Sequence, residues 1–214
     1  MEHTDLSRLD LPEERTKLNR EQGGYSFYAY LSRMRYISRW GLMRNSSPEN
    51  IQEHSHMVAV LAHALGLISR DIYGNTHISP ETCATVALFH DATEIITGDM
   101  PTPVKYYSPE IRQAYQKVED VAVEQLLSML PPALRDSYAP LLKDVSPEVE
   151  RIVKAADKLS AHIKCLEELK ASNHEFILAA RQTRQALDDM NMPELHYFID
   201  NFLDSFTLTL DELK

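Results

Sequence analysis

Apolar residues recur every three or four positions along most of this chain, which matches the 3.6-residue turn of an α-helix. In the first such stretch, Phe27, Leu31 and Met34 fall on one side of a helix predicted over residues 26–37. No stretch alternates convincingly between apolar and polar residues, so no strand is predicted. The pattern therefore predicts an all-α fold, in which amphipathic helices pack against one another.

Prolines mark where several of the helices begin. The triplet Ser-Pro-Glu occurs at 47–49, 79–81 and 146–148, where an N-cap residue precedes a proline at the first helical position. The helix that begins at 79–81 is predicted to continue through Glu94 and to end at the glycine and prolines that follow. Residues 39–45 are predicted to form a loop. Further helices are predicted over residues 109–130, 173–190 and 193–206.

Four ionisable residues lie on the inward stripes of three of these helices. His54 belongs to the helix after 47–49, His90 and Asp91 to the next, and Asp157 to the helix after 146–148. An imidazole or carboxylate that faces a helical core costs free energy unless another group pairs with it. One divalent cation would satisfy all four, and bundle interiors build metal sites in this way. Two imidazoles and two carboxylates suit a hydrolytic metal, whereas structural zinc sites favour thiolates.

Glu94 extends this cluster. It lies four residues beyond His90 and three beyond Asp91, so the predicted helix places all three on one face. A carboxylate beside a metal can orient a water molecule or move its proton. The alternative interpretation is a non-catalytic helical protein in which these groups are hydrogen-bonded core residues or hold a structural metal.

Composition narrows the class of protein. The 214 residues, 43% of them hydrophobic, suffice for one packed domain, which we predict over residues 25–214 behind a flexible arm at 1–24. The net charge of −10 argues against binding to polymeric nucleic acid, which requires clustered Lys and Arg. Two cysteines imply no disulfide framework. We find no signal peptide and no membrane span, so a cytoplasmic protein without a membrane partner is expected.

The order His54, His90-Asp91 and Asp157 resembles the H…HD…D signature of HD-domain metal-dependent phosphohydrolases. A closer resemblance, over about residues 25–212, is to the bacterial 5′-deoxynucleotidases. The segments that carry this resemblance lie at residues 39–45, 53–55, 90–94, 97–106 and 164–169. The segments around Trp40 and the Pro-Thr-Pro sequence are the most specific of them.

The resemblance implies an HD-domain helical bundle that hydrolyses deoxyribonucleoside 5′-monophosphates to deoxyribonucleoside and phosphate. It implies that His54, His90, Asp91 and Asp157 bind one divalent metal ion. The mixed nitrogen and oxygen ligands, with room for water or phosphate oxygen, suit cobalt, manganese or magnesium. Family members commonly form homodimers, so a homodimer is expected here as well.

The resemblance also implies how the substrate is bound. Arg39 would hold the phosphate, because its planar guanidinium pairs with two oxygens, and it would act with Glu94 in catalysis. Trp40 would pack against the sugar or base and leave a ribose 2′-hydroxyl unpaired, which favours deoxyribose. Asp91 would contact the substrate as well as the metal, and Asp99 would accept a hydrogen bond from a sugar hydroxyl.

Two other HD reactions remain as alternatives: cleavage of a cyclic nucleotide, and removal of triphosphate from a nucleoside triphosphate. A triphosphohydrolase would need more basic side chains at its site than Arg39, Arg44 and Lys105 provide. Lys105 is interpreted as a surface lysine or as a supporting charge. A phosphate-release screen over mono-, di- and triphosphates separates these reactions.

Overall fold

The computed structural model describes residues 24–101, Val104 and residues 107–213, and most of these residues are helical. Among them, the β pairing consists of an isolated bridge between Ser38 and Asn50. The described α-helices of four or more residues are α1 (Phe27–Leu31), α2 (Ile51–Leu67), α3 (Pro80–Phe89), α4 (Glu94–Thr97), α5 (Pro109–Ser128), α6 (Pro132–Leu142), α7 (Pro147–Lys170), α8 (Ile177–Asp189) and α9 (Pro193–Phe202). The prediction of an all-α fold is confirmed.

The main core lies between α2, α3, α7 and α9. Val58 and Leu65 of α2, Val86 of α3, Leu159 of α7 and Leu195 of α9 are almost completely buried in it. Helix α2 packs against both α3 and α7. The three elements that carry the predicted metal ligands are therefore held together by direct apolar packing.

A smaller apolar cluster lies beneath the loop that follows the first helical segment. Phe176 and Cys165 are fully buried, and Trp40 and Met43 of the loop pack against them. Phe176 belongs to a 3₁₀ turn, His174–Phe176, that leads into α8. The loop is thereby anchored on the far end of α7, the helix that also carries Asp157.

Helix α2 begins later than predicted. Its first residue is Ile51, and the side chain of Asn50 caps it by accepting a hydrogen bond from the Glu53 backbone N–H. The helix start predicted at 47–49 was wrong because the end of this segment pairs with the backbone at the start of the loop. The Arg39 N–H donates to the Glu49 carbonyl at 3.0 Å.

The helix predicted from 79–81 through Glu94 is interrupted at the candidate site. Helix α3 ends at Phe89, and a separate short helix begins at Glu94. The Ala87 carbonyl accepts hydrogen bonds from the His90 backbone N–H at 3.5 Å and from the His90 Nδ1 group at 2.7 Å. The regular hydrogen bonding of the helix stops there. The intervening turn projects His90 and Asp91 towards α2 and α7.

The chain also contains a helix, α6 (Pro132–Leu142), that the sequence analysis did not predict. The preceding helix was predicted to end at residue 130, just before Pro131 and Pro132. Proline is equally suited to the first position of a new helix. None of the α6 residues is fully buried, so the segment has no strong apolar stripe.

Two helices approach closely at Gly66 in α2. A Cβ atom at this position would lie 2.9 Å from the Pro80 Cα atom at the start of α3. Alanine favours a helix over glycine by about 1 kcal/mol, whereas overpacking costs about 1–3 kcal/mol. We expect Gly66→Ala to lower the free energy of unfolding by about 1–2 kcal/mol, measured by urea denaturation. Gly41→Ala, in open space, is the control and should change it by less than about 0.5 kcal/mol.

The predicted division into an arm at 1–24 and a domain at 25–214 stays a prediction, because residues 1–23 lie outside the described residues. None of the described helices combines the length and the apolar character that a membrane span requires.

Candidate metal centre and active site

The four predicted metal ligands lie side by side. His54 stands in the first turn of α2, His90 and Asp91 in the turn after α3, and Asp157 in the middle of α7. One ligand atom from each of His54, His90 and Asp157 falls within 4.8 Å of the others. Asp91 Oδ2 joins them, at 3.2 Å from His90 Nε2 and 3.6 Å from His54 Nε2.

Each imidazole is oriented by a contact at its other nitrogen. Ser160 Oγ lies 3.2 Å from His54 Nδ1, and its hydroxyl can accept from or donate to either tautomer. The Nδ1 group of His90 donates to the Ala87 carbonyl, so Nε2 faces the cluster. Such contacts fix the ring orientation of metal-binding histidines.

One buried atom is left without a partner in this cluster. Within the described residues, His90 Nε2 makes no hydrogen bond, although a carboxylate oxygen of Asp91 is near. Buried nitrogen atoms of this kind normally have a partner. A divalent cation accepts imidazole nitrogen and carboxylate oxygen together, so the residues present fit such an ion.

The charges around the cluster favour a cation. Burial opposes protonation of His90, but the carboxylates of Asp91 and Asp157 outweigh it and raise the pKa of His90 to about 9. Burial likewise opposes ionisation of Asp157, yet the hydrogen bond with His54 and the charge of Lys158 lower the pKa of Asp157. The surrounding carboxylates therefore stabilise a positive charge at this position, and without a metal that charge is the proton on His90. A bound metal ion would replace this proton.

Arg39 connects the loop to the metal cluster. Its Nη1 donates to Asp91 Oδ2 at 3.4 Å, and its Nε donates to Glu49 Oε2 at 3.1 Å. These contacts use only part of the five N–H donors of the guanidinium. With respect to the described residues, Arg39 is therefore held beside the candidate ligands with donors to spare for an anion.

Trp40 is held in an uncommon backbone conformation. Its φ angle is +57°, a region that side chains larger than glycine seldom adopt. The indole Nε1 donates to Glu49 Oε2 at 3.0 Å, and the ring packs on Phe176 with centroids 5.3 Å apart. One carboxylate oxygen of Glu49 thus fixes Arg39 and Trp40 relative to each other.

Two further acids face the same region. Burial, reinforced by the charges of Asp91 and Asp99, raises the pKa of Glu94 to about 9. Its Oε2 atom is buried and has no hydrogen-bond partner among the described residues. Burial also raises the pKa of Asp99, although the nearby charge of Arg39 opposes this. Both carboxyl groups are therefore poised to exchange protons or to accept a new hydrogen bond.

The sequence of this chain matches a known family over most of its length. The sequence pattern of the YfbR-like 5′-deoxynucleotidases covers residues 26–206. The chain is 50% identical over 190 residues to a 5′-deoxynucleotidase of Vibrio parahaemolyticus, covering 88% of this chain and 97% of that protein. A 5′-deoxynucleotidase of Photobacterium profundum is 50% identical over 191 residues, with the same coverage.

The chain belongs to the YfbR-like 5′-deoxynucleotidase family. This membership confirms the predicted family, the hydrolase class and the activity towards deoxyribonucleoside 5′-monophosphates.

Solved structures support the fold of this family member. An HD-domain phosphohydrolase from Listeria innocua superposes with a TM-score of 0.72 at 24% identity, over 85% of this chain and 88% of that one. An HD phosphohydrolase of cyanophage S-2L, bound to dA and one catalytic Zn²⁺ ion, gives a TM-score of 0.57 at 23% identity, over 83% and 96%. The predicted HD-domain helical bundle is confirmed.

The structure of this family member brings together every predicted site residue that it describes: Arg39, Trp40, His54, His90, Asp91, Glu94, Asp99 and Asp157. Lys105 lies outside the described residues. Sequence reasoning missed Glu49, which was taken only as part of a helix start, and Ser160, which lies one turn beyond Asp157. The helical spacing does place Ser160 on the inward face with Asp157, but nothing in the sequence indicates its contact with His54.

Proposed function

We propose that this chain hydrolyses deoxyribonucleoside 5′-monophosphates at the cluster formed by His54, His90, Asp91 and Asp157, which together hold one divalent cation. The observation that carries this proposal is that ligand atoms of His54, Asp91 and Asp157 converge near His90 Nε2, which has no hydrogen-bond partner among the described residues. Arg39 stands beside them, and its contacts with described residues leave N–H donors available. A metal and an arginine next to each other suit a phosphate monoester, whose charge lies on three oxygens.

The bound cation would supply charge for the phosphate oxygens and acidify a water molecule. The mixed nitrogen and oxygen ligands support an ion of the cobalt, manganese or magnesium class. The solved cyanophage relative carries Zn²⁺. Zinc is therefore included in the tests below.

Arg39 and Glu49 work as a pair in this proposal. The guanidinium binds the phosphate and neutralises the charge that spreads over the transferred group. Glu49 holds Nε, so the guanidinium plane cannot rotate freely. Preserving this plane keeps the substrate phosphorus aligned with the attacking water.

Glu94 acts as the proton-transfer group. Its Oε2 atom, which has no partner in the part of the chain that the structure describes, can accept a hydrogen bond from the attacking water and take its proton. The positive charge of a bound cation would lower the pKa of Glu94 from its raised value and make the carboxylate available.

Trp40 and Asp99 recognise the sugar. Asp99 accepts a hydrogen bond from a deoxyribose hydroxyl, while the Trp40 indole covers the 2′ position with an apolar surface. A 2′-hydroxyl against this surface would lose its hydrogen bonds to water without gaining a partner. The proposal also includes a location in the cytoplasm and, as the family resemblance implies, a homodimer.

A hydrolysis panel tests the proposed function. The purified protein, supplied with Co²⁺, Mn²⁺, Mg²⁺ or Zn²⁺, is assayed for phosphate release from deoxyribo- and ribonucleoside monophosphates, from triphosphates and from cyclic nucleotides. We expect release from deoxyribonucleoside monophosphates at least about tenfold faster than from ribonucleotides. Chelation should abolish it. Equal rates on both sugars would refute the role of Trp40, and activity confined to triphosphates or cyclic nucleotides would refute the proposed reaction.

A further inference from the structure

A buried ion pair lies away from the reaction site, near the C-terminal end of α7. The side chains of Lys164 and Glu168 are 6% and 1% exposed, and the Lys164 ammonium donates to the Glu168 carboxylate. Removing two charges from water is costly, and their mutual attraction does not always compensate for it. A pair buried this deeply is therefore expected to serve a purpose besides stability.

The pair binds the loop that carries the substrate residues. Glu168 accepts the Ser46 N–H at 2.9 Å, the Ser46 hydroxyl, and the Ser47 N–H at 3.2 Å. Lys164 donates to the Ser47 carbonyl. These bonds join the end of the loop directly to the helix that holds Asp157.

Asn173 adds a second tie from the turn after α7. Its Nδ2 group donates both to Glu168 Oε2 at 2.8 Å and to the Arg44 carbonyl at 2.7 Å. The Arg44 N–H donates in turn to Glu175 Oε1 at 3.2 Å. Because Arg44, Ser46 and Ser47 are exposed polar residues, this part of the loop is held by hydrogen bonds rather than apolar packing.

The same pair also reaches Trp40 through an aromatic ring. The Lys164 ammonium lies 5.8 Å from the centre of the Phe176 ring, within the range of a cation–π contact. Phe176 packs on the Trp40 ring, 5.3 Å away. The Trp40 carbonyl accepts hydrogen bonds from the Met43 N–H and from Asn45 Nδ2, so the loop end and Trp40 form one folded unit.

We propose that Lys164 and Glu168 are positioning residues that set the sugar specificity of the site, because they fix the loop in the one shape that places Trp40 over the sugar. The left-handed backbone of Trp40 is a strained conformation that persists only when its surroundings enforce it. The charged pair makes directional hydrogen bonds to specific backbone groups, so it fixes the position of the loop on α7. An apolar contact has no such direction and would allow the loop to shift along the helix. The specificity part of this inference rests on the proposed function.

Glu168→Gln tests the inference, because it keeps the size of the side chain and removes its charge. Trp40 is the single tryptophan of the chain, so fluorescence and its quenching by acrylamide report on this loop alone. We expect the quenching constant to rise about twofold and the preference for deoxyribonucleotides to fall at least about fivefold. The loss should appear mainly in KM, with kcat on deoxyribonucleotides less affected, because the metal cluster is untouched.

Two controls separate positioning from general destabilisation. Glu150→Gln breaks an exposed Lys154–Glu150 pair with the same spacing on the same helix, and should change neither readout. Gly66→Ala lowers stability far from the loop and should leave the sugar preference unchanged. If Glu168→Gln does not fold, Ser46→Ala removes one of its hydrogen bonds at an exposed position and takes its place in both assays.

The outcomes are distinct. Unchanged quenching together with unchanged sugar preference in a folded variant would overturn the inference. A rise in quenching with the sugar preference intact would support the inference that Lys164 and Glu168 position Trp40. It would overturn the inference that this positioning sets the sugar specificity. Because quenching needs no substrate, it tests the positioning even if the proposed reaction fails.

Discussion

Replacing Glu94 with glutamine is expected to lower kcat on deoxyribonucleoside monophosphates by about 10²–10⁴ while a metal ion remains bound. Glutamine keeps the size and one oxygen of the side chain but cannot take a proton from water. The carboxyl group is not among the ligand atoms that converge on His54, so the metal content should stay the same. Steady-state kinetics and metal analysis of the purified variant measure the two quantities.

Although Glu94→Gln is expected to lower activity, it is expected to raise the stability of the metal-free protein. In the metal-free protein, Glu94 keeps its proton up to its raised pKa of about 9, whereas in the unfolded chain it loses it near its ordinary pKa of about 4.3. Between these values the unfolded state binds fewer protons, so this group makes folding less favourable as the pH rises. Glutamine does not titrate. Metal-free Glu94→Gln should therefore be more stable than the wild type, by a margin that grows as the pH rises through this range.

Glu53→Gln is the matched control, because Glu53 lies exposed in the first turn of α2. It should change neither kcat nor the pH dependence of stability. Near-normal turnover of metal-loaded Glu94→Gln would exclude Glu94 as the proton-transfer group. A metal content that falls with activity would instead show that Glu94 helps to hold the cation.

The metal cluster could be predicted from sequence because each of its members breaks an apolar stripe. His54 and Asp157 stand among inward positions of helices that the structure also contains. His90 and Asp91 were predicted on the right face, but as part of a continuous helix. Their actual turn depends on a hydrogen bond from the His90 side chain to the backbone carbonyl of Ala87, which no apolar pattern encodes.

Contacts from the loop could not be predicted in the same way. Glu49 lies on an extended segment, so no helical period indicates where its side chain points. Lys164 and Glu168 stand four residues apart on a helix, and such pairs are usually exposed. Only the tertiary position of the loop buries them. Local sequence patterns do not show how one segment packs on another, so these contacts could not be predicted.

Replacing Asp157 with asparagine is expected to remove the metal and lower activity on the order of 10³-fold or more, because charge stabilisation of the phosphate is lost. Asparagine is neutral and offers one weaker oxygen ligand. The variant keeps the size of the side chain, and a hydrogen bond with His54 Nε2, now 3.1 Å from Asp157 Oδ1, can still form. We therefore expect a folded protein that has lost its cation rather than an unfolded one.

Metal analysis and thermal unfolding distinguish these states. Ions that bind only the folded protein raise its melting temperature. Adding Co²⁺ or Mn²⁺ should therefore stabilise the wild type and leave Asp157→Asn unchanged. Asp188→Asn, which breaks an exposed pair with Arg184 on α8, is the matched control and should respond as the wild type does. Full metal content and activity in Asp157→Asn would mean that the cation is held without the Asp157 carboxylate, and the proposed four-ligand site would be wrong.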